Sequence, residues 1–352
     1  MTTAPPEADF TRRTEPYRRE LLAHCYRMLG SVHDAEDLVQ ETYLRAWRAY
    51  GRFEGRSSLR TWLYQIATNT CLTALRHGSR RQLPSGLGAP GEGVGPVAAE
   101  GHAGWLEPLP DAMVTAESDG PEAVAVSREH LRLALIAGLQ YLPPRQRAVL
   151  LLREVLAFPA AEVAEMLGTT VVAVKSGLQR ARARIEAVAP AADRIVEPDE
   201  PQVRALLARY VEAFVTADAA ALQQLLRADA TLELPPSAVW YSGEDAAAQA
   251  MAGLGSPGDW RMVPAGANGQ PAAAVYLRDG GVHRAFGVVV LTAGPADDGA
   301  GAAIARITVF ADPGLPAVFG LPPVYEGAPG HREAPGYGEA PAGAGVGAHA
   351  GR

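Results

Sequence analysis

From Tyr17 to His77 apolar residues recur at three- and four-residue spacing and no proline interrupts, which predicts a compact bundle of helices. The pattern breaks between Gly78 and Pro121. There the chain is rich in Gly, Pro and Ala (RQLPSGLGAPGEGVGPVAAEG) and cannot bury enough apolar surface to order itself, so it reads as a linker. One island in it, Trp105 to Asp111 (WLEPLPD), is too apolar for a plain spacer and is a candidate for docking on a neighbour. Helical periodicity returns from Pro121 to Val188, and Pro190 to Pro201 forms a second, short boundary. Beyond it, helices around Val203 to Val215 and Ala219 to Leu226 precede strand-like runs, ATLEL, AAAVYL, GVHRAFGVVVL and AAIARITVF, separated by Gly, Pro and Asp turns. That order predicts an α+β unit, and the Gly, Ala and Pro repeats after Tyr325 predict a disordered tail. The expected units are therefore 10–78, 122–188 and 200–325, with a flexible acidic linker at 79–121 and a tail at 326–352.

At 352 residues the chain has room for two or three compact units. No apolar run approaches the roughly 20 residues that cross a bilayer. The N-terminal MTTAPPEADF lacks a basic head followed by an apolar stretch, so a cytoplasmic location and no membrane partner are expected. Cys25 and Cys71 lie far apart on predicted helix interiors, with neither a disulfide framework nor zinc-ligand spacing, and read as core fillers. No metal or other cofactor is expected.

Charge sharpens the picture, because the net −7 conceals opposed segments. Residues 10–81 carry 13 basic and 7 acidic groups, and residues 128–188 carry 9 and 5. The stretch 82–127 holds seven acidic residues and no Lys or Arg, and everything after Val188 is acidic by 8. Two cationic modules embedded in an acidic chain suit a protein that touches DNA at two places.

The sharpest motif is Leu142 to Ile185, LPPRQRAVLLLREVLAFPAAEVAEMLGTTVVAVKSGLQRARARI, two short helices joined across Gly168 and Thr169. This is helix-turn-helix spacing. Val163, Ala164 and Leu167 give the first helix a buried face, and Val174, Leu178, Ala181 and Ile185 recur at i, i+4, i+7 and i+11 on the second. The opposite face presents Ser176, Gln179 and Arg180, flanked by Lys175, Arg182 and Arg184. Central hydrogen-bonding groups meet base edges in a major groove while flanking cations neutralise phosphates.

Asp34 to Trp47, DAEDLVQETYLRAW, followed by Phe53 to Arg76, FEGRSSLRTWLYQIATNTCLTALR, resembles region 2 of the sigma-70 family in its extracytoplasmic-function branch. The helix-turn-helix resembles region 4. Both come in the family's order and separation, and together they span Tyr17 to Glu186. The resemblance implies two all-α modules, a region 2 helical bundle and a region 4 helix-turn-helix, that bring core RNA polymerase to promoter DNA. It places Asp37, Gln40 and Glu41 against the β′ clamp helices and region 4 on the β flap. It places Arg56, Ser57, Ser58 and Arg60 in a polar loop beside the DNA, and Asn69 where the family's Asn reads an extruded base of the minus 10 element. Trp62 and Tyr64 are possible stacking platforms, of which Trp62 is assigned to the core. Thr68 departs from the pattern, standing where many relatives carry Arg, which puts a phosphate contact there in doubt. The acidic linker would run through the polymerase's RNA path; an inert spacer explains the composition almost as well.

The unit at about Pro201 to Tyr325 resembles the SnoaL-like, nuclear transport factor 2-like fold, an α+β cone. Its placement after region 4, a Trp-Leu island in the linker (Trp105, Leu106) and an FGLP stretch at Phe319 to Pro322 carry that resemblance. Trp105 and Leu106 are thus expected at an interdomain contact. Asp218, Asp229 and His283 lack a catalytic constellation and read as a helix cap, a turn residue or a surface group, so no catalytic residue is expected. Three classes compete: a sigma factor, a simple DNA-binding regulator that would need no polymerase, and a cone-fold enzyme fused to a transcription module. Only the first gives Asp34 to Trp47 a purpose. A separate anti-sigma protein or a small ligand of the cone stays open as a further partner.

Overall fold

The computed structural model describes residues 6–76, 81–86, 90–91, 104–115, 129–188, 200–252, 255–297, 299 and 301–326. The expected tail at 326–352 therefore lies almost wholly outside the described residues. Four helices open the chain: α1 (Pro6–Thr14), α2 (Arg18–Leu29), α3 (Val32–Tyr50) and α4 (Leu59–Ala74). Ser31 and Ser58 start α3 and α4 in the same way, each side chain accepting the amide three residues on, Asp34 at 3.1 Å and Thr61 at 2.9 Å. Leu21, Cys25, Met28, Val39, Leu63 and Cys71 meet in their dry interior. The two thiols, 46 positions apart in sequence, are hydrogen-bond neighbours there, and contact with Cys25 together with burial pushes the Cys71 thiol up.

The second helical module comprises α5 (Leu133–Gln140), α6 (Pro144–Leu150) running into a π-helical turn (Leu151–Val155), α7 (Ala160–Met166) and α8 (Val171–Val188). It does not float free of the first. Arg147 of α6, nearly buried, donates to the Met28 carbonyl at the end of α2, to Gln140 Oε1 at 2.6 Å, and to the Leu142 carbonyl at 3.2 Å. Burial lowers its pKa to about 10, so it stays charged while joining the modules.

The third unit is α+β: α9 (Glu200–Val215), α10 (Ala219–Gln224), β1 (Leu226–Glu233), β2 (Trp240–Ser242), α11 (Glu244–Ala252), β3 (Trp260–Ala267), β4 (Gln270–Asp279), β5 (Val282–Pro295), β6 (Ala302–Phe310), α12 (Leu315–Val318) and β7 (Val324–Glu326). Its single sheet runs β2-β1-β6-β5-β4-β3, with β7 added to β5; only β1 and β6 are parallel. β5 bends strongly, with bulges opposite Val275/Tyr276 and at Thr292/Ala293. At the bend a Cβ on Gly287 would sit 2.0 Å from the Phe310 carbonyl oxygen, so only glycine fits.

The run Val288-Val289-Val290-Leu291 is apolar without alternation because β5 is covered on both faces. Val289 and Leu291 join Tyr210, Phe214 and Trp260 beneath the unit's own helices. Val288 and Val290, with Ala272 and Phe310, belong instead to the core of the two helical modules. One sheet thus closes a private core with one face and shares the other with the N-terminal half.

Within the stretch expected to be a linker, the described residues include apolar side chains that dock on the neighbouring modules. Leu83, Pro84, Leu106 and Leu109 are all buried, because the neighbouring modules provide the apolar surface that the segment itself lacks. Among the described residues no helix is long and apolar enough to cross a membrane, and no cluster of His, Cys, Asp or Glu could hold a metal.

Candidate nucleic-acid interface

In α7 and α8 the local chemistry follows the helix-turn-helix pattern. Thr170 starts α8 by accepting the Ala173 amide at 3.2 Å. Val163, Ala164, Leu167, Val174 and Ala181 are buried, with Leu178 and Ile185 half-buried beside them. Lys175, Gln179, Arg180, Arg182 and Arg184 are exposed, and Ser176 is partly so. Arg180 Nη1 donates to Ser176 Oγ at 2.6 Å, which holds two of the three expected base-reading groups together. Arg182 departs from the expected free phosphate ligand, since its guanidinium pairs with Glu154 of the π-helical turn. That pair is 63% and 35% exposed, so it holds the side chain only weakly.

On α3, Asp37 and Gln40 are exposed and Glu41 half-exposed, the last accepting from Arg45 Nε at 2.6 Å. Leu44 and Trp47 continue the same stripe, 49% and 38% exposed. Sequence reasoning overlooked these two, although Leu44 falls out of phase with the buried Val39, Thr42 and Ala46.

The loop before α4 is as polar as expected. Arg56 is exposed, 3.4 Å from Glu54, Ser57 is exposed, and Ser58 serves as the helix cap. Arg60 differs. Its Nε donates to Glu20 at 3.0 Å, and its guanidinium lies over the rings of Tyr64 and Phe158 at 5.0 and 4.9 Å, so it braces the two modules. Tyr64 is fully buried, and Trp62, half-buried, packs against the helical core with its ring 4.8 Å from that of Phe53.

Thr68 now has a physical reason. It is fully buried and pairs with His24 Nε2 at 2.9 Å, so an arginine there would be driven into the core. Burial lowers the His24 pKa to about 3. The next residue, Asn69, is exposed on α4, and its amide donates to the Gln65 carbonyl at 2.9 Å and to the Met166 carbonyl of α7 at 3.1 Å. Thr61 Oγ1 donates to Glu162 of α7 at 3.1 Å. The α4 face that carries Asn69 is therefore in contact with α7, while Asn69 itself stays exposed beside that contact.

The linker island and the C-terminal unit fix this arrangement. Leu106 packs so tightly on the end of α2 that a Cβ on Gly30, at φ +73°, would come within 2.5 Å of it. Trp105 is half-buried, and its carbonyl accepts from Arg81 at 2.9 Å. Sequence reasoning missed the residues that bind most. Glu107 accepts from Ser31 Oγ at 2.7 Å at the start of α3, and its carbonyl accepts from Tyr26 Oη at 2.7 Å. Asn268, fully buried at the tip of the β3–β4 hairpin, accepts the Leu109 amide at 2.9 Å. Its Nδ2 donates to Tyr26 Oη at 2.8 Å and to the Leu131 carbonyl at 2.7 Å. Gly269 donates its amide to Asp111, and Gln270 accepts that of Leu133. The signal was present: Asn-Gly between two apolar runs marks a two-residue hairpin, and Asn268 adopts its positive φ, +59°.

In the C-terminal unit the exposed Asp218 caps α10, and the exposed Asp229 pairs with Arg227. His283 is buried rather than at the surface, with Nε2 3.3 Å from the Gly258 carbonyl. These three groups stay apart.

Comparisons with known proteins agree with this geometry. Models of sigma-70 region 2 and sigma-70 region 4 match residues 14–81 and 132–185. The ECF RNA polymerase sigma factor SigG of Mycobacterium tuberculosis (strain H37Rv) is 52% identical over 321 residues, 89% of this chain and 84% of its own. SigW of Bacillus subtilis is 31% identical over 47% of this chain and 81% of its own. The crystal structure of the M. tuberculosis extracytoplasmic function sigma factor SigJ, 24% identical, superposes with a TM-score of 0.55 over 89% of this chain and 99% of that one, which shows the same three-part fold. The chain belongs to the extracytoplasmic-function branch of the sigma-70 family, the RNA polymerase subunits that direct core enzyme to promoters and start transcription.

Proposed function

We propose that this sigma factor works through two polar faces, one on each DNA-binding module, and that its C-terminal domain and linker brace the contact of the Asn69 face with region 4 until polymerase and promoter draw the modules apart. Region 2, within 10–78, opens the minus 10 element with Asn69 as base reader and Arg56, Ser57 and Ser58 along the strand. Region 4, within 122–188, reads the minus 35 element with Ser176, Gln179 and Arg180, supported by Lys175, Arg184 and, once it leaves Glu154, Arg182. Arg60 joins the strand contacts only after parting from Glu20. The domain at 200–325 acts on the spacing of regions 2 and 4 through the linker at 79–121.

The observation that carries this reading is the Asn69 amide against the Met166 carbonyl, a base-reading group occupied by the other DNA-binding module. The stripe Asp37, Gln40, Glu41, Leu44 and Trp47 offers carboxylates around an apolar centre for the β′ clamp helices. A cleft of about 400 Å³ floored by Leu135, Leu139, Leu151, Val155 and Ile185 and rimmed by Glu129, Arg132 and Glu186 suits the β flap. The protein then acts in the cytoplasm, where core polymerase and promoters are.

Run-off transcription with purified core polymerase on a genomic promoter library tests the reading. Polymerase-dependent initiation from a defined promoter class is expected. Tight duplex binding without polymerase, and no stimulation of initiation with it, would show a simple DNA-binding regulator instead.

A further inference from the structure

The outward face of α8 begins with a residue whose exposure nothing in the fold explains. Val172 is 76% exposed, the most exposed large apolar side chain among the described residues. A β-branched residue there gains no packing and lowers helix propensity slightly. It stands at the second position of a helix capped by Thr170, where acidic residues ordinarily complement the helix dipole. Among the described helices α3 has Asp34 in its first turn, α7 has Glu162, and α11 has Glu244 and Asp245, whereas α4, α5, α6 and α10 have none. The first turn of α8 has none and reads Val171-Val172-Ala173.

Val172, Ser176, Gln179 and Ala183 recur at i, i+4, i+7 and i+11, so the exposed valine shares one stripe with two of the three groups assigned to base readout. Lys175 and Arg184 flank it with positive charge, and Arg180, the third base-reading group, lies beside it. The first residues of a recognition helix go deepest into a major groove. The one apolar group that a base pair presents there is the 5-methyl of thymine.

We infer that Val172 reads the 5-methyl group of a thymine in the upstream promoter element. The inference rests on α8 being the recognition helix. Val172 precedes Gln179 by seven residues, about 10 Å along the helix axis, so the thymine is a different base from the one that Gln179 faces.

The experiment uses the full chain with core polymerase and a promoter library randomised across the upstream element. One position selects thymine. Uracil for thymine at that position deletes only the methyl group, and weakens the wild-type holoenzyme about fourfold, the factor that burial of one such group provides. Val172→Ser, which removes both Cγ methyl groups, loses the preference at that position alone and is indifferent to uracil. Val172→Thr, which keeps one, retains part of it. Equal uracil sensitivity of wild type and Val172→Ser overturns the inference, as does a uniform loss over all sequences. Arg180→Ala separates the underlying reading. If it alters selection at its own position while Val172→Ser alters none, α8 reads DNA without Val172. If neither variant changes selection, the assignment of α8 itself fails.

Discussion

Replacing Asn268 by alanine is the most direct test of how the C-terminal domain is held. The side chain makes three hydrogen bonds in a fully buried setting, and its loss strands the Leu109 amide and the Leu131 carbonyl; Tyr26 keeps its bond to the Glu107 carbonyl. Each stranded backbone group costs about 1–3 kcal/mol, and an alanine at φ +59° adds about 1 kcal/mol. At the low end the docked state loses about 3 kcal/mol, somewhat more than a hundredfold in its equilibrium with an undocked state. Hydrogen exchange at the Leu109 amide, read by NMR or mass spectrometry, should accelerate by about that factor. Energy transfer between dyes on region 2 and on the β3–β4 hairpin side of the domain should fall in parallel. Asn268→Gly, which tolerates the backbone conformation and removes only the hydrogen bonds, should show about a fivefold smaller effect. Unchanged exchange at Leu109 in the alanine variant would refute the reasoning, because it would mean that apolar contact alone holds the hairpin.

Asn69→Ala should leave polymerase binding intact and weaken strand opening, seen as reduced permanganate reactivity of thymines in the minus 10 element; unaltered reactivity at saturating protein would make Asn69 purely a contact to α7. A chain ending at Glu197 should still bind core polymerase and start more transcripts from cognate promoters, and Trp105→Ala should act in the same direction; full-length rates from both would end the case for control by the domain. His24 is buried and neutral with a pKa of about 3, below its ordinary 6.5, so the unfolded chain takes up the proton first as pH falls. Its contribution is complete above about pH 6.5 and is lost toward pH 3, at up to about 1.4 kcal/mol per pH unit, a slope that His24→Gln should remove from urea unfolding between pH 7 and 5.

The helical modules were legible because each carries a period that one buried face imposes, as Val174, Leu178 and Ala181 show on α8. The four main strand runs were legible by β-branched content. β2 and β3 were not, because Trp240–Ser242 is too short to show a period and Pro264, Gly266 and two alanines mask β3. At the site, which residues are exposed on α3 and α8 could be inferred from phase alone. The partners of Arg60, Arg182 and Asn69 could not, since Glu20, Glu154 and Met166 reach them by tertiary packing that no local pattern encodes. The same holds for the linker: Leu83 and Leu109 look stranded among glycines and prolines until another module supplies the surface that covers them.

The bond between Asn268 and Tyr26 spans 242 positions of the chain. Synthesis proceeds at roughly 5–20 residues per second, so region 4, which ends at Val188, is complete several seconds before the hairpin that fastens it exists. Every newly made molecule therefore passes through an interval in which both DNA-binding modules are complete and unfastened. A chain that meets core polymerase in that interval has no clasp to open, so the output of a fresh burst of synthesis differs from that of the same number of finished, closed molecules.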